Sequence, residues 1–149
     1  MKLTIPRPLK LEHEELHEQL RRATRESGGL SEAAKAVAKL MHPHFVKEEE
    51  YALPPLGLLP LLAQGQVTPD MAAVLPMTDK LKAELGEMLA EHKSIVAALR
   101  RLADVAKREN KPEYAEFADK LILHAQTEEE VSYPTAILIG EYLKLRLNK

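Results

Sequence analysis

The stretch HFVKEEEYALP at residues 44–54 recurs as HAQTEEEVSYP at residues 124–134. Both copies read histidine, three residues, three glutamates, three residues and proline. A shorter motif, Glu-His followed three positions later by an apolar residue, precedes the copies at residues 12–16 and 91–95. The chain therefore reads as two copies of one unit. Each unit supplies one histidine from its first segment and a His-x3-Glu pair from its second.

Composition limits both the class of protein and the kind of metal site. The chain has 149 residues, so we expect a single domain over residues 1–149 with its own hydrophobic core. Cysteine is absent, so a metal must be held by nitrogen and oxygen ligands. A net charge of −2 and the absence of tryptophan argue against a nucleic-acid surface. The sequence has neither a signal-peptide pattern nor an apolar run of membrane-spanning length, so we expect a cytoplasmic protein that does not enter a membrane.

Hydrophobic periodicity predicts four long helices, in which apolar residues recur every three or four positions. Their approximate ranges are 9–27, 31–53, 78–109 and 112–134. Gly28 and Gly29 separate the first two, with Ser31 as the predicted N-cap of the second helix, and Pro112 opens the fourth. The pattern predicts an all-α, up-down-up-down four-helix bundle, followed by a short apolar C-terminal helix over residues 137–147.

The crossing between the second and third helices, residues 54–77, is rich in proline and leucine. It is too interrupted for a long helix and too apolar for an exposed linker, so we predict short helical turns, one opening at Thr68-Pro69. The third helix begins well before its histidine, and its Leu81 and Leu85 need covering. The leucines predicted to cover them are Leu56, Leu58, Leu59, Leu61 and Leu62.

Four histidines are predicted to meet at one level of the bundle. Residues 28–29 lie midway between His13 and His44, so an antiparallel hairpin sets these two at equal height. The second hairpin does nearly the same for His92 and His124. All four lie on the apolar stripe of their helix, so their rings are expected to face the core.

Two carboxylates are predicted to join them, because Glu48 and Glu128 each lie four residues after a histidine on the same helix face. An isolated His-x3-Glu pair is an ordinary surface contact, but these pairs point to the core. Burying them without a counter-ion would cost several kcal/mol. A pair of divalent or trivalent metal ions removes that cost, and helix bundles hold dimetal sites in this way.

These motifs resemble those of hemerythrin-like, His-His-Glu cation-binding domains over about residues 10–134. The Glu-His motifs of the first and third helices and the two His-x3-Glu-Glu motifs carry the likeness. The resemblance implies a non-haem di-iron centre with bridging carboxylates, and O2 at one open iron position in members that bind oxygen. Carried over by motif, the ligands are His13, His44, Glu48, His92, His124 and Glu128.

The third helix departs from the pattern of the best-known members of that family. They carry two histidines four apart on this helix, whereas Met88 and Val96 lie four residues either side of His92. This difference weakens the case for reversible oxygen carriage.

His17, four residues after His13, is a seventh candidate ligand, and the alternative is a polar residue at the edge of the helix. Its counterpart in the second copy is Val96. Ligation by His17 would saturate an ion held by His13 and His44, and would leave an ion held by His92 and His124 open. An exogenous ligand would then bind beside Met88, Val96 and Leu121.

Other polar residues of the repeat receive supporting roles. We interpret Glu49, Glu50, Glu129 and Glu130 as surface or supporting groups, because they turn away from the apolar stripe. Tyr51 and Tyr133 are interpreted as packing residues, with hydrogen bonds near the site as the alternative.

Three functions fit these residues. The leading interpretation is a module with two iron ions that binds O2 or a related diatomic such as NO, for sensing, carriage or storage. The alternative is a di-iron enzyme that reduces peroxide or O2 or oxidises Fe2+. A third is a bundle that a metal such as zinc or manganese only stabilises. Nothing in the sequence identifies a signalling output, an electron donor or a protein partner.

Overall fold

The computed structural model describes residues 2–149, and the regular structure within that range is entirely helical. The α-helices are α1 (Arg7–Thr24), α2 (Gly29–Lys47), α3 (Leu59–Ala63), α4 (Leu75–Arg108), α5 (Pro112–Thr127) and α6 (Tyr133–Leu147). The four longest, α1, α2, α4 and α5, form a bundle in which α4 packs against both α2 and α5, and α1 packs against the same two helices. The predicted all-α four-helix bundle is confirmed. Within residues 2–149, no helix has both the length and the apolar character needed to span a membrane.

The second helix begins at Gly29, two residues earlier than predicted. Gly28 has a φ of 75°, a left-handed conformation that glycine adopts without strain, and it is the N-cap of α2. Ser31 lies inside the first turn, where its hydroxyl donates a 2.8 Å hydrogen bond to the carbonyl of Thr24. The prediction of Ser31 as the N-cap was therefore wrong. Pro112 opens α5 as predicted.

The crossing between α2 and α4 consists of short helical turns, as predicted. A 3₁₀ turn over Pro54–Leu58 leads into α3, and a second over Pro69–Val74 leads directly into α4. Leu56 and Leu58 are buried in one cluster with Leu81, but Leu59 and Leu61 are substantially exposed.

Helix α6 supplies the rest of the cover that the crossing was expected to provide. It begins at Tyr133 rather than at residue 137 and buries Ile139 and Leu143 in the same cluster as Leu81. Its backbone approaches α4 closely, because a Cβ added at Gly140 would lie 2.2 Å from the Oγ1 atom of Thr78.

Each copy of the repeated motif contains a π-helical turn, over Glu48–Ala52 and Glu128–Ser132. The amide of Leu53 donates to the carbonyl of Glu48 at 2.9 Å, and the amide of Tyr133 donates to the carbonyl of Glu128. A π turn closes after one residue more than an α turn, so the fifth residue after each glutamate lies above it and faces the bundle interior.

The π turns also explain why Tyr133 and Val131 lie on the opposite faces from those that uniform α-helical periodicity predicts. Uniform α-helical periodicity places Tyr133 about 180° from His124 and keeps Val131 on the buried face. In the structure Tyr133 is fully buried and Val131 is exposed.

Two hydrophobic clusters flank the level of the four histidines. Leu16, Phe45 and Ile95 belong to the cluster that extends to the α1–α2 turn. Leu53 and Met88 belong to the cluster that extends to the crossing and α6. The polar side chains between these clusters are shielded from water on both sides.

Candidate metal centre

Six of the seven candidate ligands converge between the hydrophobic clusters. Helices α1, α2, α4 and α5 each contribute one histidine, and each π turn contributes its first glutamate. All six side chains are buried: His13, His44, Glu48, His92, His124 and Glu128.

The first group contains His44, Glu48, His92 and Glu128, which present one nitrogen or oxygen atom each within 4.8 Å of the others. The Nε2 atoms of His44 and His92 are 2.8 Å apart. Nε2 of His44 lies 3.6 Å from Oε2 of Glu48, and Nε2 of His92 lies 3.2 Å from Oε1 of Glu128.

The second group contains His13, His124 and Glu128. The Nε2 atoms of the two histidines are 3.3 Å apart, and they lie 3.5 and 3.2 Å from Oε2 of Glu128. Oε1 of Glu48 lies 3.8 Å from Nε2 of His13. Both glutamates therefore direct one oxygen to each group, which is the arrangement of a bridging carboxylate.

The histidines pair across the two copies of the repeat rather than within each hairpin. From the sequence we expected His13 and His44 to share one ion and His92 and His124 to share the other, and the ring contacts in the structure differ from this pairing. The structure joins His44 to His92 and His13 to His124. Each of the four helices lies against two others, so adjacency alone permits either pairing, and in the structure each group takes one ring from each copy.

The structure does not bring His17 to either group. Its ring packs on Phe45 with 4.1 Å between the ring centroids, and Phe45 also contacts the ring of His13. Burial and the neighbouring His13 lower the pKa of His17. One helical turn beyond His13, the interior is already filled by the phenyl ring, so His17 remains at the edge of α1.

Glutamates from the opposite copy support two of the ligand rings. Nδ1 of His44 donates a 2.8 Å hydrogen bond to Oε1 of Glu91, and Nδ1 of His124 donates to Glu12. Such bonds fix the tautomer and direct Nε2 towards the centre. From the sequence, the glutamates of the two Glu-His motifs received no role. Their recurrence at the same position in both copies was the signal that could have identified them.

Glutamates of the same copy face the other two rings. Nδ1 of His92 donates to Oε1 of Glu129 at 3.1 Å, so the supporting role considered for Glu129 matches its position. The equivalent pair, His13 and Glu49, is separated by 4.0 Å, beyond hydrogen-bonding distance.

Tyr133 places a phenol inside the first group. Its hydroxyl donates to Oε2 of Glu48 at 2.6 Å and lies 3.1 and 3.2 Å from Nε2 of His44 and His92. Interpreting Tyr133 as a packing residue was wrong, because the π turn that rotates it inward has no signature in the hydrophobic periodicity. Tyr51, by contrast, directs its hydroxyl to the sulfur of Met88 at 3.8 Å, a packing contact.

Burial and neighbouring charges determine which groups carry protons. Burial and the proximity of Glu128 raise the pKa of Glu48 to about 7. Burial also opposes ionisation of Glu128, but its interactions with Glu48 and with nearby histidines such as His124 outweigh burial and hold the pKa of Glu128 well below its usual range. Burial disfavours the charged ring of His124, but Glu128 outweighs burial and raises its pKa to about 9. The protein fold thus holds protons where a cation would replace them.

The side chains present fit a pair of metal ions. Oε1 of Glu48 and Oε2 of Glu128 are buried without a hydrogen-bond partner, at a cost of about 1–3 kcal/mol each. A cation beside each oxygen would satisfy it. Imidazole nitrogens and carboxylate oxygens suit iron, manganese and zinc, so the donor set alone does not select one of them.

A cavity of about 280 Å³ lies beside the second group. Its apolar wall includes Leu9, Leu16 and Leu53, and His13 and His124 face it. By contrast, the space between the two groups near Leu121 measures only about 10 Å³. The larger space thus lies beside His13 and His124 rather than near Leu121, and the ligand site expected beside Met88, Val96 and Leu121 stays a prediction.

Comparison with known proteins adds one positive finding. A family model described as "Hemerythrin HHE cation binding domain" matches residues 4–136. The match includes all six converging ligands and both π turns. A search of curated proteins and a search of solved structures each gave no match to the chain.

Proposed function

The chain belongs to the hemerythrin HHE cation-binding domain family, and on that premise we propose that it holds two iron ions and binds O2 or a related diatomic such as NO. The observation that carries the proposal is the arrangement of Glu48 and Glu128. Each directs one carboxylate oxygen to the first group and the other to the second. Two carboxylates shared in this way favour two neighbouring ions over one.

The donors divide evenly between the two ions. One ion would be held by a histidine nitrogen from each of His44 and His92, and the other by one from each of His13 and His124. Both glutamates would contribute to both ions. With four protein donors, each ion would keep coordination positions that the groups described so far do not fill. Bound iron supplies redox-active positions that O2 and NO can reach.

The cavity supports the diatomic ligand and its place of binding. It adjoins the second group, and Leu9, Leu16 and Leu53 form the apolar part of a wall that Glu12 and Lys120 also line. The apolar part favours a small, weakly polar molecule. We therefore place ligand binding on the side of His13 and His124.

Anaerobic loading with Fe2+, metal analysis and optical titration with O2 and NO test this proposal. We expect about two iron ions per chain and spectral changes with one or both gases. Glu128→Ala should reduce the iron content to about one ion or fewer, whereas His42→Ala, a matched change at an exposed histidine, should leave it intact. Fewer than two ions in the wild type would overturn the dimetal proposal. Two ions without a response to either gas would overturn the ligand-binding proposal and favour a structural role. Turnover of added peroxide would favour the enzyme.

A further inference from the structure

The two copies of the repeat differ at the residue that follows each carboxylate by five positions. In the first copy this residue is Leu53, and in the second it is Tyr133. Both are carried inward by a π turn at the same place in the motif. Tyr133 lies in the first group, while Leu53 lines the cavity at the second. The pseudo-symmetric site is thus asymmetric at one pair of equivalent positions.

We propose that the phenol oxygen of Tyr133 is a ligand of the ion in the first group and occupies the position whose equivalent at the second group faces the cavity, so that exogenous molecules bind only at the second group. This inference rests on the proposed dimetal site. Tyr133 and Leu53 are both buried, and neither belongs to the seven candidate ligands considered from the sequence.

The surroundings of the hydroxyl carry the proposal. Its oxygen lies within 3.5 Å of donor atoms on all four members of the first group: Glu48, His44, His92 and Glu128. An ion held by those atoms would therefore have the phenol oxygen as a neighbour. Tyr133 has no exposed surface, so tight packing holds its ring in this position.

Ligation replaces one bond of the hydroxyl by another. The O–H bond of Tyr133 breaks, a bond from the phenol oxygen to ferric iron forms, and one proton per chain is released to solvent. No electron is transferred in this step. Leu53 has no atom able to do the same, so the equivalent position of the second ion faces the cavity.

The test compares the wild type with Tyr133→Phe after both are loaded with iron and oxidised to the ferric state. A phenolate ligand gives a visible charge-transfer band and tyrosine modes in the resonance Raman spectrum. We expect both in the wild type and neither in Tyr133→Phe, with about two iron ions in each protein. Azide should bind at about one per chain in the wild type and about two in the variant. Tyr51→Phe is the matched control and should behave as the wild type.

The outcomes separate this inference from the proposed function. Failure of the wild type to bind two iron ions would overturn the proposed dimetal site itself. Two irons with no phenolate signature in the wild type, or a signature that survives in Tyr133→Phe, overturn ligation by Tyr133. An azide stoichiometry that stays at about one in Tyr133→Phe overturns the exclusion of exogenous molecules from the first group by Tyr133. Leu53→Tyr introduces a phenol at the equivalent position of the second group, and it should abolish azide binding. Azide binding at the wild-type stoichiometry would count against the proposal.

Discussion

His44 and Glu91 belong to opposite copies of the repeat, yet they share a 2.8 Å hydrogen bond between Nδ1 and Oε1. Glu91 is held from the other side by Lys47, whose Nζ lies 2.7 Å from Oε2. Lys47 and His44 lie on successive turns of α2, so the carboxylate spans both of them. The ring of His44 is thereby oriented by a side chain on α4, the helix that also carries His92.

Replacing Glu91 by glutamine should weaken metal binding without disrupting the fold. The amide cannot supply the charge that raises the basicity of the His44 ring, and such supporting changes typically cost about 10–100-fold in metal affinity. Competition titration against a chelator measures the loss. Glu87→Gln is the control, because Glu87 also contacts Lys47 but no ligand. Equal affinities for the two variants would contradict the supporting role.

The metal-free protein should become less stable as the pH rises. Between about 4.5 and about 7, folded Glu48 retains a proton that the unfolded chain releases, so its contribution falls across that window. His124 behaves alike between about 6.5 and about 9, because its folded pKa is also raised. Urea denaturation at a series of pH values measures the trend. Glu48→Gln should remove the part of the slope below about pH 7, and an unchanged slope would refute the assignment.

Metal loading should reverse that trend over the same range. Metal ions and protons compete for the same nitrogens and oxygens, so binding tightens as the pH rises. At a free-ion concentration of about 100 Kd, one bound ion stabilises the fold by about 2.7 kcal/mol. Thermal denaturation before and after chelation should show the loss, and the loss should be larger at pH 8 than at pH 6. A smaller loss at pH 8 would contradict the shared-ligand argument.

Gly140→Ala should destabilise the contact between α6 and α4. The added Cβ would lie 2.2 Å from Oγ1 and 2.6 Å from Cβ of Thr78, both of which are fixed by burial. Overpacking of this kind typically costs about 1–3 kcal/mol. Gly86→Ala is the matched control on α4, where no atom lies within 4 Å, and it should stabilise by about 0.5–1 kcal/mol. Chemical denaturation of both variants checks the pair, and equal effects would be inconsistent with the close approach.

The periodicity of each helix was sufficient to predict that six of the candidate ligands are buried. His92 lies within an unbroken stripe of apolar residues, and a polar side chain there requires a partner. The same pattern failed for His17, since position on a helix face does not reveal that Phe45 fills the space beneath it. Burial at one level depends on neighbouring helices, which periodicity within one helix does not describe.

The π turns and the pairing of the histidine rings could not be predicted from the sequence for a related reason. An i→i+5 hydrogen bond is selected by packing across the bundle, so EEEYA and EEEVS carry no local mark of it. Uniform α-helical periodicity therefore places Tyr133 on the side opposite His124, and its contacts with the candidate ligands remained only the alternative to packing. Helix α2 lies beside both α1 and α4, so adjacency permits either a His44–His92 or a His44–His13 contact, and hairpin counting fixes only the height of each ring.

The crosswise pairing of the histidines has a consequence for how the halves of the chain cohere. Neither hairpin contains both rings of a group, and Glu12 and Glu91 each orient a ring on the opposite hairpin. Two bound ions would therefore cross-link the N-terminal and C-terminal halves, and chelation would remove that cross-link. A half-length chain would need a second copy of itself to complete the site, which is the arrangement expected if the present chain arose by duplication of a dimerising hairpin.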